Sequence, residues 1–134
     1  MKIIDLDKEQ IKQLEEALEA YDEKHITYSL DGRISIGIVA GGEVVAGLDA
    51  CMTCFKILYV STVFVDEAHR RKGYGKELLI ELESRAKKLG ANTIRLDTFG
   101  YQGKEFYIAM GYEQAGFYRN DEDDYEEYFF VKRI

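Results

Sequence analysis

Seven consecutive residues, Arg70-Arg71-Lys72-Gly73-Tyr74-Gly75-Lys76, set four cations around two glycines. Glycine reaches positive φ and carries no Cβ, so the backbone N–H groups around Gly73 and Gly75 can converge on a guest that approaches closely. From Lys76 the pattern turns helical, with Leu78, Leu79, Leu82, Ala86 and Leu89 on one stripe. The turn therefore opens a helix, and the free N–H groups and positive dipole end of that helix face the same point. The chemistry that suits such a site is the binding of a phosphate or pyrophosphate. Upstream, the β-branched and aromatic run closing on Val63-Phe64-Val65 reads as a strand, so the unit is strand, anion-binding turn, helix.

Two familiar phosphate motifs do not fit. A Walker A loop would need glycine at position 70 and Ser or Thr at 77, where this chain has Arg70 and Glu77. A dinucleotide fingerprint would need a third glycine at Leu78 and a place after the first strand of a βαβ unit. What remains, Arg70-x-x-Gly73-x-Gly75 after a strand ending in Val65-Asp66, resembles the signature of the GNAT superfamily of acyl-CoA-dependent N-acyltransferases.

The elements that must hold this turn follow from periodicity. Met1-Lys2-Ile3-Ile4 reads as a first strand. Asp7, as N-cap with Gln10 closing a capping box, opens an amphipathic helix carrying Ile11, Leu14, Ala17, Leu18 and Tyr21 on one face. Ile26 to Leu30 reads as a short strand, and Asp31-Gly32 turns into a strand over 34–39. Gly41-Gly42 makes a hairpin with 43–49, and a second connection leads to the strand 57–65. After the helix, Gly90 is a C′ stop and 92–99 is a strand. Strand, helix and strand at this spacing imply a right-handed parallel crossover, with ligands at the carboxyl ends of its strands. A short helix over 103–110, a strand over 112–117 and a last strand over 125–133 complete the chain.

Composition limits what such a chain does. Its 134 residues, 46% hydrophobic and 32% charged, make one domain, 1–134, with one real core. No run approaches membrane-spanning length and no basic, apolar leader begins the chain, so a cytoplasmic protein without membrane contact is expected. A net charge of −7 argues against a nucleic-acid binder, while Arg70, Arg71, Lys72 and Lys76 make the turn locally positive. No metal site is expected: Cys51 and Cys54 lack two further ligands at matching spacing, and His25 and His69 are isolated. The cysteines read as reduced thiols or as a redox pair.

The second half of the chain strengthens the resemblance. Phe106-Tyr107-Ile108-Ala109-Met110-Gly111-Tyr112-Glu113 matches the family's helix ending in Tyr and followed by Gly-(Phe/Tyr)-Glu. Leu96-Asp97-Thr98-Phe99 with Gln102 resembles a bacterial single-domain acetyltransferase subgroup. One departure stands out: where many members carry a cofactor-contacting Asn seven residues before the Tyr, this chain has Gly100, so that contact is lost or passes to Gln102. The resemblance implies an α/β (α+β) fold. Its sheet is mixed, mostly antiparallel and six- to seven-stranded, with helices on both faces and a parallel crossover through the family's fourth strand, third helix and fifth strand.

The resemblance also implies roles. The cofactor is acetyl-CoA. Its pantetheine arm lies beside Val63, Phe64 and Val65, its pyrophosphate is held by Arg70, Arg71, Lys72, Gly73, Tyr74, Gly75 and Lys76, and Gln102 adds a contact. Transfer to a primary amine of a small molecule or peptide is direct, with backbone N–H groups stabilising the oxyanion. Tyr107 matches the general acid that protonates the leaving thiolate. A phenol of pKa about 10 does this only slightly uphill against a thiol near 8.5, and the alternative is a plain core tyrosine. For the base, Asp97, Asp49 and a water chain all remain, with His69 a lone neighbour of the turn. The acidic run Asp121-Glu122-Asp123-Asp124, with Glu126 and Glu127, reads either as a magnet for a cationic acceptor or as a solvated hairpin tip. A homodimer through the tyrosine-rich end is possible, and a catalytically degenerate acyl-CoA-binding sensor or interaction module is the alternative to an enzyme.

Overall fold

A computed structural model describes residues 1–28 and 30–134. Asp7 and Gln10 close the expected capping box on α1 (Lys8–Asp22): the Gln10 N–H donates to the Asp7 carboxylate at 2.8 Å and the Asp7 N–H donates to Gln10 Oε1 at 3.0 Å. Ahead of it, Met1–Ile4 forms no strand and stands exposed. Four residues with a lysine among them carry too little apolar area to hold a strand at a sheet edge with nothing packed beneath. The strand expected over 26–30 is also absent from Ile26, Thr27, Tyr28 and Leu30, and Ser29 lies outside the described residues.

Six strands follow: β1 (Arg33–Ala40), β2 (Glu43–Met52), β3 (Ile57–Val65), β4 (Thr93–Phe99), β5 (Glu113–Asn120) and β6 (Tyr125–Arg133). They form one mixed sheet in the order β1-β2-β3-β4-β6-β5, antiparallel except for β3 with β4. Gly41 and Gly42, at φ +61° and +84°, supply the two left-handed positions that a tight hairpin between β1 and β2 requires. Between β3 and β4 runs α2 (Tyr74–Lys88), two residues longer at its start than the apolar stripe announces, and α3 (Lys104–Ala109) follows β4.

The core lies on one side of the sheet. Leu78, Leu79, Leu82 and Ala86 of α2 pack on Ile34, Ala46, Leu48, Leu58, Val60 and Ile94. Leu79 and Leu82 are fully buried, each contributing about 1.5–3 kcal/mol. α3 joins the same side through Tyr107, whose ring centroid is 5.9 Å from that of Phe130. Helices were expected on both faces; the two that pack share one. The other face is open and in part polar, with Arg33, Ser35, Arg95 and Asp97 exposed, and α1 buries none of its residues.

Candidate active site

The gap between β3 and β4 is the centre of the site. The two strands pair over only three positions, Ile57↔Thr93, Leu58↔Ile94 and Tyr59↔Arg95, although β3 runs on to Val65 and β4 to Phe99. A bulge starts the divergence: Asp49 pairs with Thr62 and Ala50 with Val60, leaving Ser61 unpaired and bending β3. The Ser61 hydroxyl donates to the Asp49 carbonyl at 3.2 Å, which anchors the bulge to β2. Beyond Tyr59 the facing edges of the two strands are free of each other. They line a cleft of about 980 Å³ that continues to the start of α2 and along α3.

Its far end is the cationic turn. Arg71 (φ +63°) and Gly73 (φ +83°) both take left-handed backbone, which turns successive N–H groups inward. α2 has no side-chain cap, and its first N–H bond is that of Glu77 to the Gly73 carbonyl at 3.0 Å. The N–H groups of Tyr74, Gly75 and Lys76 have no partner among the described residues, so three donors and the positive helix end are available to an anion. Gly75 is required by contact as well: a Cβ there would sit 3.1 Å from Phe106 Cζ. That ring comes from α3 and lines the cleft beside the turn, a proximity that local sequence pattern does not reveal.

The expected phosphate ligands divide on inspection. Arg71, Gly73, Tyr74, Gly75 and Lys76 line the cleft, and neither Arg71 nor Lys76 makes an ion pair among the described residues. Arg70 lines it too, but its Nε donates to the Val65 carbonyl at 3.0 Å, so it ties the turn to the end of β3. Lys72 is exposed and outside the cleft lining, where it adds charge at a distance. His69 is held by Asp66 at 3.0 Å and stacks on Tyr74, so it braces the turn. On β3, Val63 and Val65 pack toward the core while Phe64 points out, leaving the strand's backbone to face the gap.

Tyr107, brought in by α3, lines the cleft from the core side. It is 7% exposed, its hydroxyl has no hydrogen-bond partner among the described residues, and burial pushes its pKa up to about 12. Asp97 lines the cleft from the opposite, open face of the sheet, where the Tyr59 hydroxyl donates to it at 3.5 Å. The gap passes through the sheet, so the two residues reach it from opposite sides. Asp49 is not among the residues that line the cleft: Arg33 grips it with two bonds of 3.0 and 2.6 Å, Ser35 donates at 2.5 Å, and these donors hold its pKa at about 2. Gln102 closes the loop after β4, its Oε1 accepting from the Phe99 N–H at 2.8 Å and from Thr98 Oγ1 at 3.3 Å, which leaves its amide nitrogen as the group still free to donate. Gly100 is explained by packing, since a Cβ there would meet Glu126 Oε2 at 3.0 Å and Glu126 Cβ at 3.2 Å.

Cys51 lies exposed on β2 and Cys54 in the following turn, both as free thiols. Among the described residues no helix is long and apolar enough to cross a membrane, and no cluster of metal-ligating residues occurs.

The model of the acetyltransferase (GNAT) family matches residues 3–112. Among curated proteins none matches the chain. Among solved structures, an acetyltransferase from Bacillus cereus ATCC 14579 superposes with a TM-score of 0.91 at 28% identity, covering 100% of this chain and 98% of the other. A candidate acetyltransferase from Agrobacterium tumefaciens gives 0.82 at 26% identity, again over 100% and 98%. An aminoglycoside 6′-N-acetyltransferase solved with coenzyme A shares the fold at a TM-score of 0.67 and 18% identity, over 99% and 97%.

Proposed function

Because the chain belongs to the acetyltransferase (GNAT) family, we propose that it transfers an acetyl group from acetyl-CoA to a primary amine of a small molecule or peptide, by direct attack in a ternary complex. One observation carries this reading: an unpaired gap between two parallel strands leads straight into three uncapped N–H groups and two unpaired cations. A long ligand with an anionic end fits that shape. Its arm would take up the strand hydrogen bonds that β3 and β4 do not make to each other, and its pyrophosphate would sit on the N–H groups of Tyr74, Gly75 and Lys76 beside Arg71 and Lys76.

When bound, acetyl-CoA supplies the acyl group as a thioester, and net transfer forms a C–N bond, breaks a C–S bond and moves one proton from nitrogen to sulfur. The chain's own groups would divide that work. Backbone N–H groups of β3 that face the gap would hold the carbonyl oxygen as charge develops on it. Tyr107, with no other partner for its hydroxyl, would give its proton to the departing sulfur. Asp97, on the open face, would hold the incoming ammonium and take its proton directly or through water. The same carboxylate favours a cationic acceptor, because the amine approaches from the side where Asp97 stands exposed beside Tyr59.

The test is calorimetric titration of acetyl-CoA into the wild type, Gly73→Asn and Gly73→Asp. Asparagine tolerates left-handed backbone and a Cβ at Gly73 meets nothing within 4 Å, so the first variant controls for strain and the second adds a charge. Micromolar binding, about −8 kcal/mol, that survives in the Asn variant and is lost in the Asp variant supports the site. Equal binding by all three would reject it. A thiol-release screen over amines then separates an enzyme, which turns over, from a module that only binds.

A further inference from the structure

At the mouth of the cleft, on the open face of the sheet, one carboxylate is set among aromatic rings. Glu127 of β6 lies between Phe99 of β4 and Tyr118 of β5 in the register, and Tyr125 and Phe129, two residues away on its own strand, share its face. The Tyr125 hydroxyl donates to Glu127 Oε2, which holds the carboxylate among the rings. Tyr101 stacks on Phe99 at 5.7 Å between centroids, Tyr125 meets Phe99 edge-on at 5.6 Å, and Tyr118 lies 5.9 Å from Tyr125. Tyr101 and Tyr118 are 85% and 54% exposed, so the series opens to solvent and adds nothing to the core. Negative ring faces beside a carboxylate are the chemistry that binds an organic ammonium.

The acidic hairpin as a whole does not account for this arrangement. Arg119 pairs with Asp121 at 2.7 Å and with Glu126 at 3.8 Å, whereas neither Glu127 nor Asp97 makes an ion pair among the described residues. Asp97 stands opposite Phe129, which puts Glu127 diagonally across the β4–β6 ladder from it, at about 7–8 Å. One phenol senses both: the hydrogen bond to Glu127, then partial desolvation, then the charges of Glu127, Tyr118 and Asp97 push the Tyr125 pKa up to about 12. Arg95 lies over the Tyr59 ring at 4.6 Å and stands opposite Val131, four residues along β6 from Glu127. A second cation is therefore drawn away from Arg95 and toward Glu127. Asp97, Phe99 and Tyr101 line the cleft, and Glu127 lies one ring beyond it.

We propose that the amine acceptor carries a second cationic group, and that Glu127 with Phe99, Tyr118 and Tyr125 is the subsite that binds it while the reacting amine stands at Asp97. The fate of the first amine rests on the acetyl-transfer reading above; the subsite itself is a matter of binding. Two carboxylates about 7–8 Å apart suit two ammonium groups separated by roughly three to five methylenes, at bonds of about 1.5 Å. The acceptor class is a short aliphatic diamine, free or as the end of a longer polyamine. A monoamine reaches Asp97 but gains nothing from Glu127, so discrimination between the two is the signature of the subsite.

Calorimetric titration of tetramethylenediamine and of butylamine into the protein, with and without coenzyme A, tests this by binding alone. The wild type should bind the diamine about tenfold more tightly than the monoamine, the gain expected of one partly exposed carboxylate with ring faces beside it. Glu127→Gln keeps an oxygen to accept from Tyr125 and loses the charge, so diamine affinity should fall to the monoamine's level with the monoamine unchanged. Glu122→Gln removes the same charge from the exposed hairpin tip and should change neither. A wild type that binds the two amines alike, or binds neither, overturns the subsite. So does a diamine preference that survives Glu127→Gln, or one that Glu122→Gln abolishes equally. The acetyl-transfer reading fails separately: acetyl-CoA left unbound, or no thiol released with either amine, rejects transfer, while a diamine preference lost in Glu127→Gln keeps the subsite.

Discussion

Replacing Tyr107 by Phe removes one oxygen and nothing else that the fold uses. The ring packs between Phe106, Tyr112 and Phe130 at centroid distances of 5.3, 5.7 and 5.9 Å, and the hydroxyl has no partner among the described residues. Deleting a buried hydroxyl that makes no bond is close to neutral for stability. Catalysis should respond differently. With its pKa at about 12, the phenol lies some 3.5 units above a thiol near 8.5, and full proton transfer to a free thiolate would be uphill by about 5 kcal/mol. Tyr107 can therefore help only by moving its proton as the C–S bond breaks, which puts its contribution at the lower end of general acid catalysis, about 10²–10³ in kcat. KM for acetyl-CoA should stay within about twofold, because the hydroxyl holds no ground-state charge.

The alkaline range gives a second, independent reading of the same residue. A raised folded pKa contributes stability that is intact below the unfolded value near 10 and lost as pH rises through about 12. Between those values the wild type should lose up to about 3 kcal/mol relative to Tyr107→Phe in urea melts. An unchanged kcat together with this alkaline difference would leave Tyr107 a core tyrosine and refute the acid role. A lost kcat without the alkaline difference would mean that the hydroxyl is less buried than the structure places it.

Three further outcomes are expected. Asp49→Asn should lower acid resistance: the folded pKa of about 2 is depressed by Arg33 and Ser35, so the stabilisation exists above the unfolded value near 3.8 and fades as pH falls toward 2, a window read by acid titration of circular dichroism. Gly100→Asn, which places there the Asn that the family resemblance leads one to expect, should not raise acetyl-CoA affinity in calorimetry and should destabilise the fold by about 1–3 kcal/mol, because the new Cβ meets Glu126 at 3.0–3.2 Å. Leu82→Ala, at a fully buried position under β1–β4, should cost about 2–5 kcal/mol in a denaturant melt while leaving the cleft residues in place.

Legibility in the sequence followed how local each cause is. The turn at Gly73 and Gly75 was readable because glycine and clustered cations are demanded within a few residues of backbone, and α2 because one face repeats at helical spacing. The gap between β3 and β4 was not readable from residues alone, since it depends on a bulge at Ser61 and a register that stops at Tyr59↔Arg95, both settled by partner strands. Arg70 illustrates the same limit. Its type suits phosphate, yet its nearest acceptor in space is the Val65 carbonyl five residues back. Asp49 looked available until Arg33, sixteen residues away, closed on it across the β1–β2 ladder.

The amino-terminal helix marks a further boundary. Its stripe of Ile11, Leu14, Leu18 and Tyr21 reads as amphipathic and the helix forms, yet it buries none of its residues. Periodicity reports that a face is to be buried; it carries no information about which molecule buries it. The core fills one side of the sheet with α2 and α3 and takes nothing from α1, so the stripe alone does not locate its contact.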